Sequence, residues 1–73
     1  MYITNRETAR IFNTNTLQVI LISPNDDSKI VGVMVDIEDY VTICECTSHQ
    51  AARRMWNDIV CALHDGEEVF EIN

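Results

Sequence analysis

The sequence predicts one α+β domain spanning residues 1–73. We expect an antiparallel β-meander of four to five strands, one C-terminal α-helix packed across it, and a possible short final edge strand. Two observations favour this class. Runs of β-branched and aliphatic residues fill the first two thirds of the chain, and the apolar residues take up a helical spacing after residue 47. The chain of 73 residues has only two Gly and one Pro, so it is not a linker.

Turn-forming residues separate the predicted strands. Tyr2–Asn5 is expected to pair with residues 9–12 as a hairpin across the polar residues 6–8. Residues 13–16 form the next turn, because Asn tolerates a left-handed backbone. Later strands are expected at residues 17–23, 29–37 and 40–46, with turns at residues 24–28 and 38–39.

The helix prediction begins at a capping box. The Thr47 hydroxyl can accept a hydrogen bond from the Gln50 amide, while the Gln50 side chain reaches back. Gly66 suits the left-handed residue that ends a helix, and residues 67–73 are expected to form the last strand. The apolar residues between these ends recur at helical spacing and are Ala52, Met55, Trp56, Ile59, Val60 and Leu63.

The predicted strands carry apolar side chains on both faces. Strict alternation places apolar residues on both faces of each strand. The residues grouped on one face are Leu17, Val19 and Leu21 on the third strand, Val31, Val33, Val35 and Ile37 on the fourth, and Tyr40, Cys44 and Cys46 on the fifth. One helix can cover only one face, and an isoleucine or valine left in water forgoes about 1.5–3 kcal/mol of burial. We therefore expect the second face to be covered by curling of the sheet, by a second copy of the chain, or by a different protein.

The charge balance is strongly acidic, with 12 acids against five bases and a formal net charge of −7. This balance argues against direct binding of nucleic acid and against an anionic membrane surface, both of which require a basic face. A partner protein with a basic surface would be attracted. The candidate partner-binding residues are the clustered acids Asp26, Asp27, Asp36, Glu38, Asp39, Glu67 and Glu68. The alternative is that these acids are solvated turn residues that keep a small protein soluble.

The three cysteines, Cys44, Cys46 and Cys61, are expected to be free thiols in a reducing cytoplasm, because their number is odd and the N-terminus lacks a secretion signal. Their spacing does not match a zinc site, and Cys61 is expected to face solvent. We expect no cofactor and no metal. No Gly-rich phosphate loop, nucleophile with a base, or paired catalytic carboxylates stand out, so an enzyme is not expected.

Three stretches carry a resemblance: residues 10–15, with their Asn-containing turn; residues 46–52, with their Thr cap; and residues 62–70, with their Gly. They resemble small proteins of phages and prophages of Gram-positive bacteria, which combine a hairpin, a β-meander and a C-terminal helix. This chain departs from that pattern by placing cysteines at positions 44 and 46. The class includes inhibitors of host defence, such as anti-CRISPR proteins that occupy nucleic-acid-binding surfaces.

The function expected from charge, size and resemblance is inhibition of a host defence protein. The chain would act in the host cytoplasm by occupying a basic, nucleic-acid-handling surface of that protein. One alternative is a structural or accessory protein that works as a homo-oligomer, with a dimer expected. Another is an oligomer that sequesters a signalling nucleotide, for which Arg53 and Arg54 could hold a phosphate.

Overall fold

The structure, a computed structural model, describes residues 1–34 and 39–72. It confirms the α+β class: within these residues one α-helix accompanies strands and a short 3₁₀ turn at Thr14–Thr16. In chain order the elements are β1 (Tyr2–Asn5), β2 (Arg10–Asn13), β3 (Leu17–Ile22), β4 (Lys29–Met34), β5 (Tyr40–Glu45), α1 (His49–His64) and β6 (Val69–Ile72). The predicted part of the fourth strand at residues 35–37 lies outside the described residues, as does residue 38 of the predicted turn.

The strands divide between two three-stranded sheets. The first sheet has the order β2-β1-β6, and the second has the order β3-β4-β5. The last strand lies at a sheet edge as predicted, and it pairs in parallel with β1. The second sheet is an antiparallel meander. A parallel partner for β1 requires a crossover, and α1 provides it by carrying the chain from the second sheet back to the first.

The hairpin of β1 and β2 closes around one side chain. Asn5 Oδ1 accepts hydrogen bonds from the backbone N–H groups of Glu7 and Thr8, at 3.0 and 3.3 Å. Ala9 then takes a left-handed φ of 56°. The Asn5 Nδ2 also donates to the Ile43 carbonyl of β5 at 2.9 Å, so this buried amide joins the two sheets.

Two register shifts of the β-bulge type change which side chains share a face of the second sheet. The register shifts between Leu17 and Val19 on β3, and again on the β4–β5 pair, where Ile30 faces Cys44 but Val31 faces Thr42. An extra residue moves the following side chains to the other face. The predicted groupings of Leu17 with Val19, and of Tyr40 with Cys44, are therefore wrong. Leu17 and Cys44 pack with the core, whereas register places Val19 and Tyr40 on the opposite face.

The N-cap of the helix lies one residue after the predicted cap. Ser48, not Thr47, is the N-cap, and its side chain accepts a hydrogen bond from the Ala51 N–H at 3.1 Å. The predicted C-terminal signal is confirmed, because Gly66 has a φ of 71° directly after the helix. The helix buries Ala52, Ile59 and Ala62.

One core joins the helix and both sheets. Its buried members are Ile3, Ile30, Ile43, Cys44, Ala52, Ile59 and Ile72. Trp56 packs against this cluster as predicted, and its Nε1 donates to the Ile20 carbonyl on edge strand β3 at 3.1 Å. The first sheet and the helix thus pack together against one face of the second sheet. The other face of the second sheet points outward.

Candidate functional site

The outward face of the second sheet is built from two rungs of cross-strand neighbours. Leu21, Val31 and Thr42 form one rung, and Val19, Val33 and Tyr40 form the other. Paired residues on neighbouring strands point to the same side of a sheet, so these six side chains share one surface. We call these six residues the outer face. None of them carries a charge.

Exposure varies across the outer face in a regular way. Val31 lies in the middle on the central strand and is only 4% exposed. Leu21 and Val33 are half-buried, whereas Val19 and Tyr40 on the two flanking strands are 46% and 53% exposed. The surface therefore has a filled centre and accessible apolar margins. Thr42 on β5 is exposed as well, so Val19, Tyr40 and Thr42 form the accessible part of the outer face around a buried apolar centre, and adjoining exposed side chains of this kind can form an interaction surface.

A third rung closes one end of the outer face with charge. Lys29 pairs with Glu45 across β4 and β5, with Nζ 3.1 Å from the Glu45 carboxylate and 3.9 Å from that of Asp26. The hydrogen bond to Glu45 is the main cause that raises the pKa of Lys29. At the other end Asp39 directly precedes Tyr40. Charged groups thus stand at both ends of the apolar rungs.

Asp26 and Asp27 occupy the turn between β3 and β4 and have local partners. Asp26 Oδ1 accepts from the Ser28 hydroxyl at 2.6 Å and from the Ser28 N–H at 3.1 Å. These bonds, the side-chain one first, lower the pKa of Asp26. Asp27 lies near His49 at the start of the helix, with its carbonyl 2.9 Å and its carboxylate 3.7 Å from Nδ1. Both acids also shape the turn.

The remaining predicted acids are spread over the molecule. Glu67 and Glu68 are exposed in the link from α1 to β6, where the Glu67 N–H donates to the Ala62 carbonyl and the Glu68 carbonyl accepts from the Tyr2 N–H. Asp36 and Glu38 lie outside the described residues. Of the seven predicted residues, Asp26, Asp27 and Asp39 therefore flank the second sheet, and Glu67 and Glu68 adjoin the first.

The structure confirms the predicted placement of the three cysteines. Cys44 and Cys46 share one side of β5, with their sulfur atoms 3.9 Å apart, while Cys61 is exposed on the helix. Burial is the main cause that raises the pKa of Cys44 to about 12, and the Cys46 thiol adds to it. No cluster of three or more His, Cys, Asp or Glu residues in ranges 1–34 and 39–72 could hold a metal ion.

The sequence predicted the outer face in part, because the groupings of Val19 with Leu21 and of Val31 with Val33 are confirmed, whereas Leu17 does not join them and Tyr40 does. Alternation indicated apolar residues on both sides of the strands, which was the correct signal. The bulges at Gln18 and Ile43 decide which residues end up together, and nothing in the sequence marks them. Arg53 and Arg54, suggested for phosphate binding, are both exposed on α1.

Comparison with known proteins adds no relative: no family model, no curated protein and no solved structure matches this chain. Within the described residues, the helix is neither long enough nor apolar enough to cross a membrane.

Proposed function

We propose that this protein is a non-enzymatic binding module that inhibits a partner protein by docking on it through the outer face. The observation that carries the proposal is the uncharged surface of six side chains across three strands, closed by charged groups at its ends. This arrangement of an apolar centre and a polar rim is the usual anatomy of a protein interface. Tyr40 is the residue we expect to contribute most, because exposed aromatic residues dominate binding energies.

The size of the outer face argues that the rim must take part. Two rungs across three strands cover a flat area of about 14 by 13 Å, or about 180 Å². A stable interface needs about 800 Å² on each partner. The contact must therefore extend beyond the outer face to its ends, where Asp26, Asp27 and Asp39 lie. The partner surface that fits is apolar in the middle and basic at its border.

A basic border of this kind is found on proteins that bind nucleic acid, because they must neutralise phosphates. Together with the resemblance to small phage proteins, this favours a host defence protein that handles nucleic acid as the target. The net charge of −7 would speed the encounter and make it sensitive to salt. The inhibitor would act in the cytoplasm of the host.

A second candidate is a homodimer formed through the same outer face. The specific observation in its favour is that both central rungs lack charge, so two copies can meet there without placing like charges in contact. In that case the interface would be isologous, and the chain would act as a structural or accessory protein. Salt separates the two candidates, because it weakens attraction to a basic partner but screens the repulsion between two acidic copies, so it does not weaken their contact.

The test uses a matched pair of tyrosines. Tyr40 on the second sheet is 53% exposed, and Tyr2 on the first sheet is 49% exposed. Proteins captured from a host lysate by the full chain are tested for loss with Tyr40→Ala and retention with Tyr2→Ala. A captured protein is then purified and titrated at rising salt. The proposal requires selective loss with Tyr40→Ala and affinity that falls with salt; equal behaviour of the two variants would overturn it.

Light scattering after size exclusion decides the second candidate. A dimer that dissociates with Tyr40→Ala and persists with Tyr2→Ala would favour self-association. A monomer at high micromolar concentration would remove this candidate and leave the heterologous partner.

A further inference from the structure

Two thiols lie next to each other at the end of β5 and have no part in the proposed binding function. Cys44 lies on β5 and Cys46 follows directly after its last residue, two positions along the chain, and their side chains lie on the same side. Their sulfur atoms are 3.9 Å apart. Cys44 is buried in the core, whereas Cys46 is half-buried, and both are free.

The spacing suits an atom held between the sulfurs better than a bond between them. A disulfide requires a sulfur separation of about 2.05 Å and Cα atoms no more than about 6.8 Å apart. Positions two apart on an extended strand are separated by about 6.6 Å, at the upper end of that range. Joining the sulfurs directly would require them to approach by about 2 Å at this upper limit, whereas a cation with metal–sulfur bonds of about 2.3 Å fits between them with little movement.

The thiol pair is reachable from outside. Cys44 and Cys46 line an open cavity of about 280 Å³, together with the thioether-bearing Met55 and the carboxylate-bearing Glu7 and Glu45. The carboxylates and the overall charge of −7 raise the local concentration of cations. Three sulfur-bearing side chains on one cavity wall favour a soft ion over a hard one.

The number of available ligands limits which metal ion can bind. Zinc takes four ligands, and no group of three or more His, Cys, Asp or Glu residues stands together in the described chain. Thiolate and thioether ligands favour Cu(I), zinc and iron–sulfur clusters, and of these zinc and the clusters are usually held by four ligands, which leaves Cu(I). We propose that Cys44 and Cys46 bind one soft monovalent cation of the Cu(I) type between their sulfur atoms. Two S–H bonds release their protons to water, two S–metal bonds form, and the metal keeps its oxidation state.

The experiment uses Ag(I) as the probe, because it is a soft monovalent cation that resists oxidation. Ag(I) is titrated into the freshly reduced full chain carrying Cys61→Ser, which removes the exposed third thiol. Native mass spectrometry counts bound ions, and the ultraviolet absorption of the silver–thiolate bond gives the affinity. We expect one ion per chain, with an affinity equal to that of the same site in the wild-type chain.

The matched control adds Cys46→Ser to the Cys61→Ser chain, which leaves Cys44 as the lone thiol. We expect the affinity for Ag(I) to fall at least about tenfold. Cys46 is chosen because it is less buried than Cys44, and circular dichroism checks that the variant is folded. Equal affinity with and without Cys46, or no bound ion in the Cys61→Ser chain, would overturn the site. Because binding to a partner protein is not measured, failure here is distinct from failure of the proposed function.

Discussion

Both sheets expose apolar side chains, but with different neighbours. On the outward side of the first sheet Ile11 is 73% exposed and Tyr2 and Val69 are both 49% exposed, against 53% and 46% for Tyr40 and Val19 on the second. On the first sheet they share that side with Glu71, whose carboxylate pairs with Arg6 at 3.3 Å. On the second sheet the two central rungs contain no charge at all.

This difference shows that exposure of single residues does not define an interaction surface. Exposed apolar side chains are ordinary in folded proteins, and on the first sheet Glu71, paired with Arg6, interrupts them. Continuity across several strands is what distinguishes the outer face of the second sheet. The first sheet therefore supplies matched controls for every substitution made on the second.

The largest expected effect comes from breaking the joint between the sheets. Asn5→Ala removes the donor to the Ile43 carbonyl and the acceptor for the Glu7 and Thr8 amides. Because these partners are left unsatisfied at a buried site, we expect the free energy of unfolding to fall by about 2–4 kcal/mol. Urea unfolding followed by circular dichroism measures the change.

Asn13 provides the matched control for this prediction. Its Oδ1 accepts a hydrogen bond from the Asn15 N–H at 3.0 Å in an exposed turn, and it makes no bridge between sheets. Asn13→Ala is expected to cost about 1 kcal/mol, the usual value of a lost cap. A loss for Asn5→Ala no greater than that for Asn13→Ala would show that the amide is not the joint between the sheets.

The second prediction contrasts the two outward sides in binding. Tyr40→Ala is expected to weaken the complex with a captured partner by about 2 kcal/mol or more, as for an exposed aromatic residue that becomes buried in an interface. Tyr2→Ala is expected to change the affinity by less than about 0.5 kcal/mol, as for a residue outside the contact. Isothermal titration of purified proteins gives both values. A larger effect for Tyr2 would transfer the interaction surface to the first sheet.

The sequence predicts the local elements well and their assembly only in part. Capping residues, the helical spacing after residue 47 and Gly66 locate α1 within one residue, since these signals act over a single turn of chain. The division into two sheets depends on distant contacts, such as the bond from Asn5 to Ile43, which are 38 residues apart. No local pattern encodes a contact of that range, so a parallel β6 next to β1 could not be foreseen.

The candidate site was predictable in kind but not in membership. Apolar residues on both sides of the strands correctly indicated a sheet side that the helix cannot cover. Bulges then moved Val19 away from Leu17 and Tyr40 away from Cys44, because one extra residue exchanges the two sides of a strand. The acidic residues were predicted as partner-binding residues from their charge alone. Asp26 also accepts a hydrogen bond from Ser28 within its own turn.

A third prediction concerns Gly66, which lies in the link between α1 and β6 of the first sheet. Gly66 has a φ of 71°, and open space surrounds the position that a Cβ atom would take, so only backbone strain opposes a side chain there. Gly66→Ala is expected to lower the free energy of unfolding by about 1 kcal/mol, and Gly66→Asn by less, because Asn tolerates this conformation. Urea unfolding ranks the two variants. An alanine as stable as glycine would contradict the role of the left-handed residue.

The smallest effect is a difference in thiol reactivity between the second sheet and the helix. Iodoacetamide reacts with thiolates, so at pH 8 we expect it to modify the exposed Cys61 first, the half-buried Cys46 next and the buried Cys44 last. Cys44 is doubly protected, because only 3% of its surface is exposed, too little for a reagent larger than a metal ion, and because burial raises its pKa to about 12, which keeps it a neutral thiol at this pH. Mass spectrometry of timed samples gives the order, and in concentrated urea the three rates should converge. If Cys44 reacted as fast as Cys61 in the folded chain, the second sheet would have to open far more readily than its packed core allows.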